Sequence, residues 1–486
     1  MSYDYIAYFA QQRPNDLVLV DGARAVRYAE FLSDLKKFIH AAAELGLKRG
    51  NSVAIGCDDF YSHWLLILAF QHLGITSTSF GALEGRSCQP LLAVVDLVLA
   101  EPHYPPGGWK TKVLTAQWLQ AAFDRPERDV PLPVRWQPDE PVRIARTSGT
   151  TGDAKRLHQT WDMIERRTLQ LLWVYGHRPP GTGGLVTLKF NIAATFRTVC
   201  HTLWGGRVVV VGNTVEMAEL PALIRRHRLS SVNLLPVQIK QVLDHLPSDW
   251  VKPAGLEITS FGAPVPDELR AAATARLADR VLEIYGSNEG GIISIIDGPG
   301  SGGFGTILPG VDVEIVDDED RRLPDGETGL IRIRGVGRFG GYVDDASLTR
   351  RMLRDGWFYP GDIGIRDGRR LQVAGRSGDQ VNLGGVKFGL SKIEGVAQRS
   401  GGAGLKDIGA VAIPNASGLN EIHVALVTDG SDDRGVVERV SAVLGSTITG
   451  GVHLIRLPQI PRNDMGKIDR AKLKEAVLAI RAAAGG

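Results

Sequence analysis

The chain has 486 residues, too many for one hydrophobic core, so its length predicts two or more domains with enough interior for a deep cleft. Lys and Arg number 56 against 54 Asp and Glu, a formal charge of +2, which gives no basis for a polyanionic partner such as nucleic acid. Any anion is expected to be bound locally. Cys57, Cys88 and Cys200 are scattered with no Cys-x-x-Cys pair, which argues against a zinc or disulfide framework and fits a reducing cytoplasm.

The opening "MSYDYIAYFAQQRPND" has an acid where a signal peptide is basic and lacks its apolar run, so no export signal is expected. In "YAEFLSDLKKFIHAAAELG" the residues Tyr28, Phe31, Leu32, Leu35, Phe38, Ile39, Ala42 and Leu45 recur at helical spacing. Asp34, Lys36 and Lys37 then turn outward. "SVAIG" reads as a buried strand and "YSHWLLILAFQHLG" as the next helix. Its apolar run from Trp64 to Phe70 falls far short of the ~20 residues of a bilayer span, which predicts a buried helix and no membrane span.

After the abbreviated stretch from Thr76 to Val113, the proline-rich and charged "FDRPERDVPLPVRWQPDEP" has no periodicity and reads as a surface connection. "GRVVVVG", "MAELPALIRRHRL", "SVNLLP" and "VQIKQVLDHLP" resume the alternation as strand, helix, strand, helix. From Gly300 the texture changes. "PGVDVEIVD" and "GLIRIRG" alternate at period two, Ile331 and Ile333 against Arg332 and Arg334, which predicts antiparallel strands in a smaller β-rich layer. Beyond Gly378 two helix-bearing segments frame short strands, and a last helix begins near Asp469, a compact unit of roughly 110 residues. The expected architecture is α/β: a large N-terminal domain of α/β sheets with a β-rich layer, residues 1–377, and a small α+β C-terminal domain, residues 379–486.

"ARTSGTTGDAKRLH", Ala145 to His158, is the most informative stretch. Thr147, Ser148, Gly149, Thr150, Thr151 and Gly152 bend without a Cβ penalty and offer backbone N–H groups and hydroxyls, while Lys155 supplies charge, as a phosphate cradle requires. A generic Gly/Ser/Thr loop has the same composition. The spacing is not that of the Walker loop, whose lysine directly follows the last glycine.

Ile144 to Lys155 resembles the phosphate loop of the adenylate-forming superfamily, which contains acyl-CoA synthetases, nonribosomal peptide synthetase adenylation domains and luciferases. Companion motifs follow in the same order. "YGSNEG" is similar to the Tyr-Gly-x-Thr-Glu motif and is preceded by "SFGAPVP"; "GETGLIRIRG", "WFYPGDIG", "GRSGDQVNLGGVKFGLSKIE" and "PRNDMGKIDR" resemble the later motifs. The N-terminal block around "AVRYAEFLSDLKKF" is also similar, so the likeness covers nearly the whole chain.

The resemblance implies a ligase that joins ATP and a small carboxylic acid into an acyl-adenylate with release of pyrophosphate, then passes the acyl group to the thiol of CoA. It implies Mg²⁺ held by Glu289, and Lys467 bridging carboxylate and α-phosphate. It places Gly262, Ala263 and Pro264 beside the adenine, with Tyr285, Gly286, Ser287 and Asn288 completing the nucleotide site. Asp362 would hold the ribose hydroxyls, with Arg376 beside it. By the same likeness the small domain is mobile about a hinge near Gly378, Gly384 and Gly385 line the thiol tunnel, and Phe190 and Asn191 line the acyl pocket. Taken alone, Glu289 is a solvated loop carboxylate, "PGD" a turn, Lys467 surface charge and Phe190 core.

Asn288 and Pro360 stand where Thr is common, Ala154 where Pro is common, and Gly378 where the hinge usually has Asp or Lys. Asn191 is neutral where amino-acid-activating domains carry an aspartate, which favours an aryl, fatty or other simple acid. Three rivals stay open at this level: a stand-alone adenylation enzyme loading a carrier-protein phosphopantetheine, a luciferase-like oxygenase, and a non-catalytic nucleotide-binding protein on the same fold.

Overall fold

The computed structural model describes residues 2–82, 88–105, 110–147, 155–176, 178, 182–212, 215–262, 264–298, 300–337, 339–377, 380–383, 386–402, 404–414, 420–447, 452–462 and 467–484. Among them no helix is long and apolar enough to cross a membrane.

A set of parallel strands organises the larger sheet. Arg280–Ser287, Glu257–Phe261, Leu229–Leu234, Gly183–Val186, Val208–Val211 and Leu17–Asp21 lie side by side in that order. Their Val, Leu and Ile residues are buried because helices cover them, among them Leu220–His227, Pro236–Asp244 and Asp267–Arg276, which pack Ile224, Ile239, Val242 and Ala273 into a common core. The expected β-rich region is present, joined edge to edge with this set. Arg280–Ser287 turns back as Gly291–Asp297, and the antiparallel strands Phe304–Ile307, Arg370–Arg376, Asp362–Asp367 and Thr328–Arg334 continue the same sheet. Ile331 and Ile333 are buried there while Arg334 is exposed, as the alternation predicts.

A second, six-stranded sheet runs Thr111–Val113, Leu97–Ala100, Ser52–Gly56, Thr76–Ser79, Pro141–Thr147 and Lys155–Thr160. Its last pair is antiparallel, with Thr147 opposite Lys155, so the two strands meet at the ends that bracket residues 148–154. Within the stretch from Thr76 to Val113, Thr76–Ser79, Gln89–Leu92 and Leu97–Ala100 form a strand, helix and strand.

Helix Phe60–Leu73 is buried from Phe60 through His72, which its all-round apolar sequence dictates. The Asp59 carboxylate caps it by accepting from the Ser62 amide at 2.8 Å, and Gly74 ends it at φ +77°. Helix Tyr28–Ala43 packs against it and corrects one expectation. Asp34 points inward, 8% exposed, and accepts from the Tyr61 hydroxyl and the Lys37 ammonium, each at 3.0 Å. The neighbouring helix delivers a buried phenol to that face, and the phenol needs an acceptor.

The three cysteines are buried, as small apolar residues. Burial raises the pKa of Cys57 well above the thiol range and that of Cys200 to about 12, so neither is a thiolate nucleophile. Beyond the hairpin Gln380–Leu383/Val386–Gly389, a three-stranded sheet, Leu405–Pro414, Asn420–Thr428 and Val452–Arg456, carries its own cores. Leu390, Ile393 and Val436 from two helices cover one face, and Leu473 and Val477 from the last helix cover the other.

Candidate active site

The site gathers at the carboxyl ends of the parallel strands, where open α/β sheets present their loops. Strand Glu257–Phe261 ends at Gly262, next to the Arg280–Ser287 strand that carries Tyr285. The Val265 amide donates to Glu283 Oε2 at 2.9 Å, tying the segment after Gly262 to that strand, and Pro264 is exposed to solvent. Gly286 sits where the hairpin register shifts. A Cβ there would stand 2.4 Å from the Gly291 carbonyl oxygen, so the turn closes only on glycine. Ser287 Oγ accepts from the Gly290 amide at 2.8 Å, and Asn288 Nδ2 donates to the Arg146 carbonyl at 3.2 Å, which fastens the turn to the strand leading into the phosphate loop.

Glu289 is buried, 7% exposed, and its Oε1 accepts from the Tyr342 hydroxyl at 2.8 Å. The Lys155 ammonium lies over the Tyr342 ring, 5.5 Å from its centroid. A lysine, a tyrosine and a carboxylate from three distant sequence segments therefore form one row. Nothing in the residues flanking Tyr342 distinguishes it in the sequence; its role follows from the distant Glu289.

Asp362 and Arg376 face each other across two antiparallel strands. Arg376 Nε is 3.0 Å from Asp362 Oδ1, and the Tyr285 hydroxyl donates to Oδ2 at 2.6 Å. Asp362 is 5% exposed; burial raises its pKa above the usual carboxylate value, against the pull of Arg376, Tyr285 and Lys467. Each carboxylate oxygen retains a free acceptor direction, as a site for vicinal hydroxyls needs.

Lys467 immediately precedes Ile468, which forms an isolated bridge with Arg462, and its ammonium comes within electrostatic reach of Asp362, Glu289 and Arg376. The residue keeps solvent-exposed surface, yet burial of the charged end, then Arg376, pushes its pKa below the usual lysine value, while the two carboxylates oppose this. Lys155, Tyr285, Ser287, Asn288, Glu289, Asp362, Arg376 and Lys467 are thus brought to one place.

Other expected positions are placed less fully. Ser148, Gly149, Thr150, Thr151, Gly152, Ala263, Gly378, Gly384 and Gly385 lie outside the described residues, and of Thr147 only the backbone pairing with Lys155 is described. Phe190 is core, 2% exposed, with its ring stacked on Phe60 at 4.5 Å. Its edge and the half-buried Asn191 line a recess with Phe60, His63, Phe80 and Tyr104. The recess holds about 10 Å³, room for roughly one water, so an acid could enter only after side chains move.

A family model of AMP-binding enzymes matches residues 88–343, just over half of the chain. The chain belongs to the AMP-binding enzyme family. The matched residues include 144–155 and 285–290, while Asp362, Arg376 and Lys467 lie beyond them. The AMP-binding chain is 27% identical to the 2-hydroxy-7-methoxy-5-methyl-1-naphthoate–CoA ligase of Streptomyces carzinostaticus, covering 97% of this chain and 92% of that one. It is 25% identical to the indoleacetate–CoA ligase of Aromatoleum aromaticum, over 79% of this chain and 75% of the relative. Its fold matches that of the O-succinylbenzoate coenzyme A synthetase of Bacillus subtilis in complex with ATP and magnesium ion, with a TM-score of 0.84, 19% identity and coverage of 97% and 99%.

Proposed function

We propose that the enzyme is an AMP-forming acid–thiol ligase that activates an aromatic carboxylic acid as its acyl-adenylate and transfers the acyl group to CoA. The observation that supports this reading is that Lys467, from the C-terminal segment, comes within electrostatic reach of Asp362, Arg376 and Glu289, while Asp362 itself is bound by Arg376 and Tyr285. A carboxylate attacking the α-phosphate of ATP brings anion to anion, and a cation between them lowers the barrier. Lys467 would supply that cation, and the carboxylates of Asp362 and Glu289 favour its charged form. Asp362, oriented by Tyr285 and Arg376, would accept from the ribose hydroxyls.

The donor chemistry also fits magnesium: Glu289 is a buried carboxylate whose Oε1 is oriented by Tyr342, and its Oε2 would be the hard-oxygen ligand for the ion. When bound, Mg²⁺ would neutralise charge on the phosphates. Lys155 and the phosphate loop would hold the pyrophosphate end.

The aromatic class is supported by the naphthoate and indoleacetate named for the two relatives, and by the rings of Phe60, Phe80, Tyr104 and Phe190 around the recess beside Asn191. Transfer to CoA has the same support in the relatives' names. The residues after Gly378 would act as a small domain, 379–486, that turns about that glycine between the two steps, removing Lys467 and admitting the thiol past Gly384 and Gly385. Pyrophosphate exchange over a panel of aromatic, fatty and amino acids, followed by AMP release with CoA or a phosphopantetheinylated carrier, tests the reading. Aromatic acids should give the highest exchange and CoA the release. Release by carrier alone would replace the acceptor, and exchange without any added acid would reject the ligase.

A further inference from the structure

The helix Trp161–Val174 buries an arginine where its apolar stripe would place an aliphatic side chain. Arg167 lies three residues after Ile164 and four before Leu171, all three buried, and is 6% exposed. Its fork reaches two separate turns. Nη1 donates to the Asn288 carbonyl at 2.8 Å and Nη2 to the Glu289 carbonyl at 2.5 Å; Nε donates to Val336 O at 2.9 Å and Nη2 also to Gly337 O at 3.3 Å. The partners are backbone carbonyls, so the charge is met by four peptide dipoles. Burying a cation in this way costs several kcal/mol that an apolar side chain on the same helix face would avoid. The arrangement is therefore poorly explained by stability alone.

The turn it grips is the one that carries the Glu289 carboxylate. Gly291, at φ +75°, follows that turn, and a Cβ there would stand 3.1 Å from Arg167 Nε, so the backbone is pressed onto the guanidinium. Arg167 holds the main chain of Asn288 and Glu289 while Tyr342 holds Glu289 Oε1. Both ends of Glu289 are fixed, and Oε2 is the oxygen left to present. The planar fork suits this task, since it spreads its donors over a fixed frame that meets four carbonyls, where an ammonium has three donors on a single atom.

We propose that Arg167 is a positioning residue that fixes the Asn288–Glu289 turn and so sets where Glu289 offers its carboxylate to the metal of the metal–ATP complex. This rests on the reading of Glu289 as a metal ligand. The test is an electron paramagnetic resonance titration of Mn²⁺ into the ATP complex of the whole enzyme, without acid, so that no turnover is needed. Parent, Arg167→Lys, Arg167→Gln, Glu289→Gln and the double variant Arg167→Lys/Glu289→Gln are compared, each with a thermal melt.

Arg167→Lys should keep a cooperative melt yet bind Mn²⁺ about tenfold more weakly, as expected when one hydrogen-bonded clamp worth roughly 1.4 kcal/mol is lost. The double variant should bind no more weakly than Glu289→Gln, because the two act through one ligand. In turnover, excess Mg²⁺ should recover much of the Arg167→Lys rate. Parent-like Mn²⁺ binding by Arg167→Lys, beside weakened binding by Glu289→Gln, overturns the proposal and leaves the metal-ligand reading standing. Unchanged binding by Glu289→Gln removes both. Loss of the cooperative melt in both arginine variants assigns Arg167 to stability and also overturns it.

Discussion

Asp362 shows what a single residue does at this site. Its two oxygens already serve Arg376 and Tyr285, which fix the direction of the acceptors left for a ribose. Hydrogen bonds to a charged group are worth about 1.5–3 kcal/mol, so Asp362→Asn should lower AMP affinity roughly ten- to hundredfold with the fold retained. Calorimetric titration with AMP and a thermal melt check this, and parent-like affinity would remove Asp362 from the nucleotide site. Lys467 carries a second prediction. Its pKa lies below the usual lysine value because burial and Arg376 disfavour its charge, and the adenylation role needs the charged form. Exchange should therefore fall as pH rises through that lowered pKa, and Lys467→Arg, which stays charged, should move or abolish this alkaline limb. An identical limb in both enzymes would assign it to another group.

At the scale of elements, helix Phe60–Leu73 illustrates how a buried segment manages its polar groups. His63 Nδ1 lies 2.9 Å from the Cys57 carbonyl and Nε2 2.9 Å from Ser79 Oγ, and burial pushes its pKa down to about 3. The unfolded chain, with an ordinary histidine pKa of about 6.5, binds the extra proton first on acidification. The stability held by neutral His63 is therefore complete above that value and lost progressively as pH falls from it toward the folded pKa. His63→Gln should melt at a lower temperature than the parent at pH 7 and lose less between pH 7 and 5. An equal slope would show that other groups dominate.

The same scale shows what a sequence can carry. The continuous apolar run of helix Phe60–Leu73 and the period-two alternation of Ile331 and Ile333 are local patterns, and both elements stand where those patterns put them. Asp34 was placed outward because helical spacing cannot know that Tyr61 of another helix will need its carboxylate. Tyr342 and Arg167 escaped for the same reason: their partners, Glu289 and its turn, lie far away in the chain, although a charged residue on an apolar stripe was a usable warning. Lys467 was reached through the order of motifs, since nothing in its immediate neighbours distinguishes it from surface charge.

For the molecule as a whole, the account requires the C-terminal unit to visit more than one orientation, with Lys467 at the nucleotide site in only one of them. A glycine at position 378 restricts the chain less than the aspartate or lysine common at that point in the family motif. Gly378→Asp should narrow the range of orientations, seen as a changed solution scattering profile without nucleotide; identical profiles would count against a hinge there. The role of Lys467 is tested by separating the two half-reactions in Lys467→Ala. One unit charge at ~4 Å is worth roughly 4 kcal/mol at an effective dielectric of about 20, so acid-dependent pyrophosphate exchange should fall about a hundredfold or more. ATP binding and CoA transfer from supplied acyl-adenylate should stay near parent levels. Unchanged exchange in that variant, or an equal loss in both half-reactions, would contradict the account.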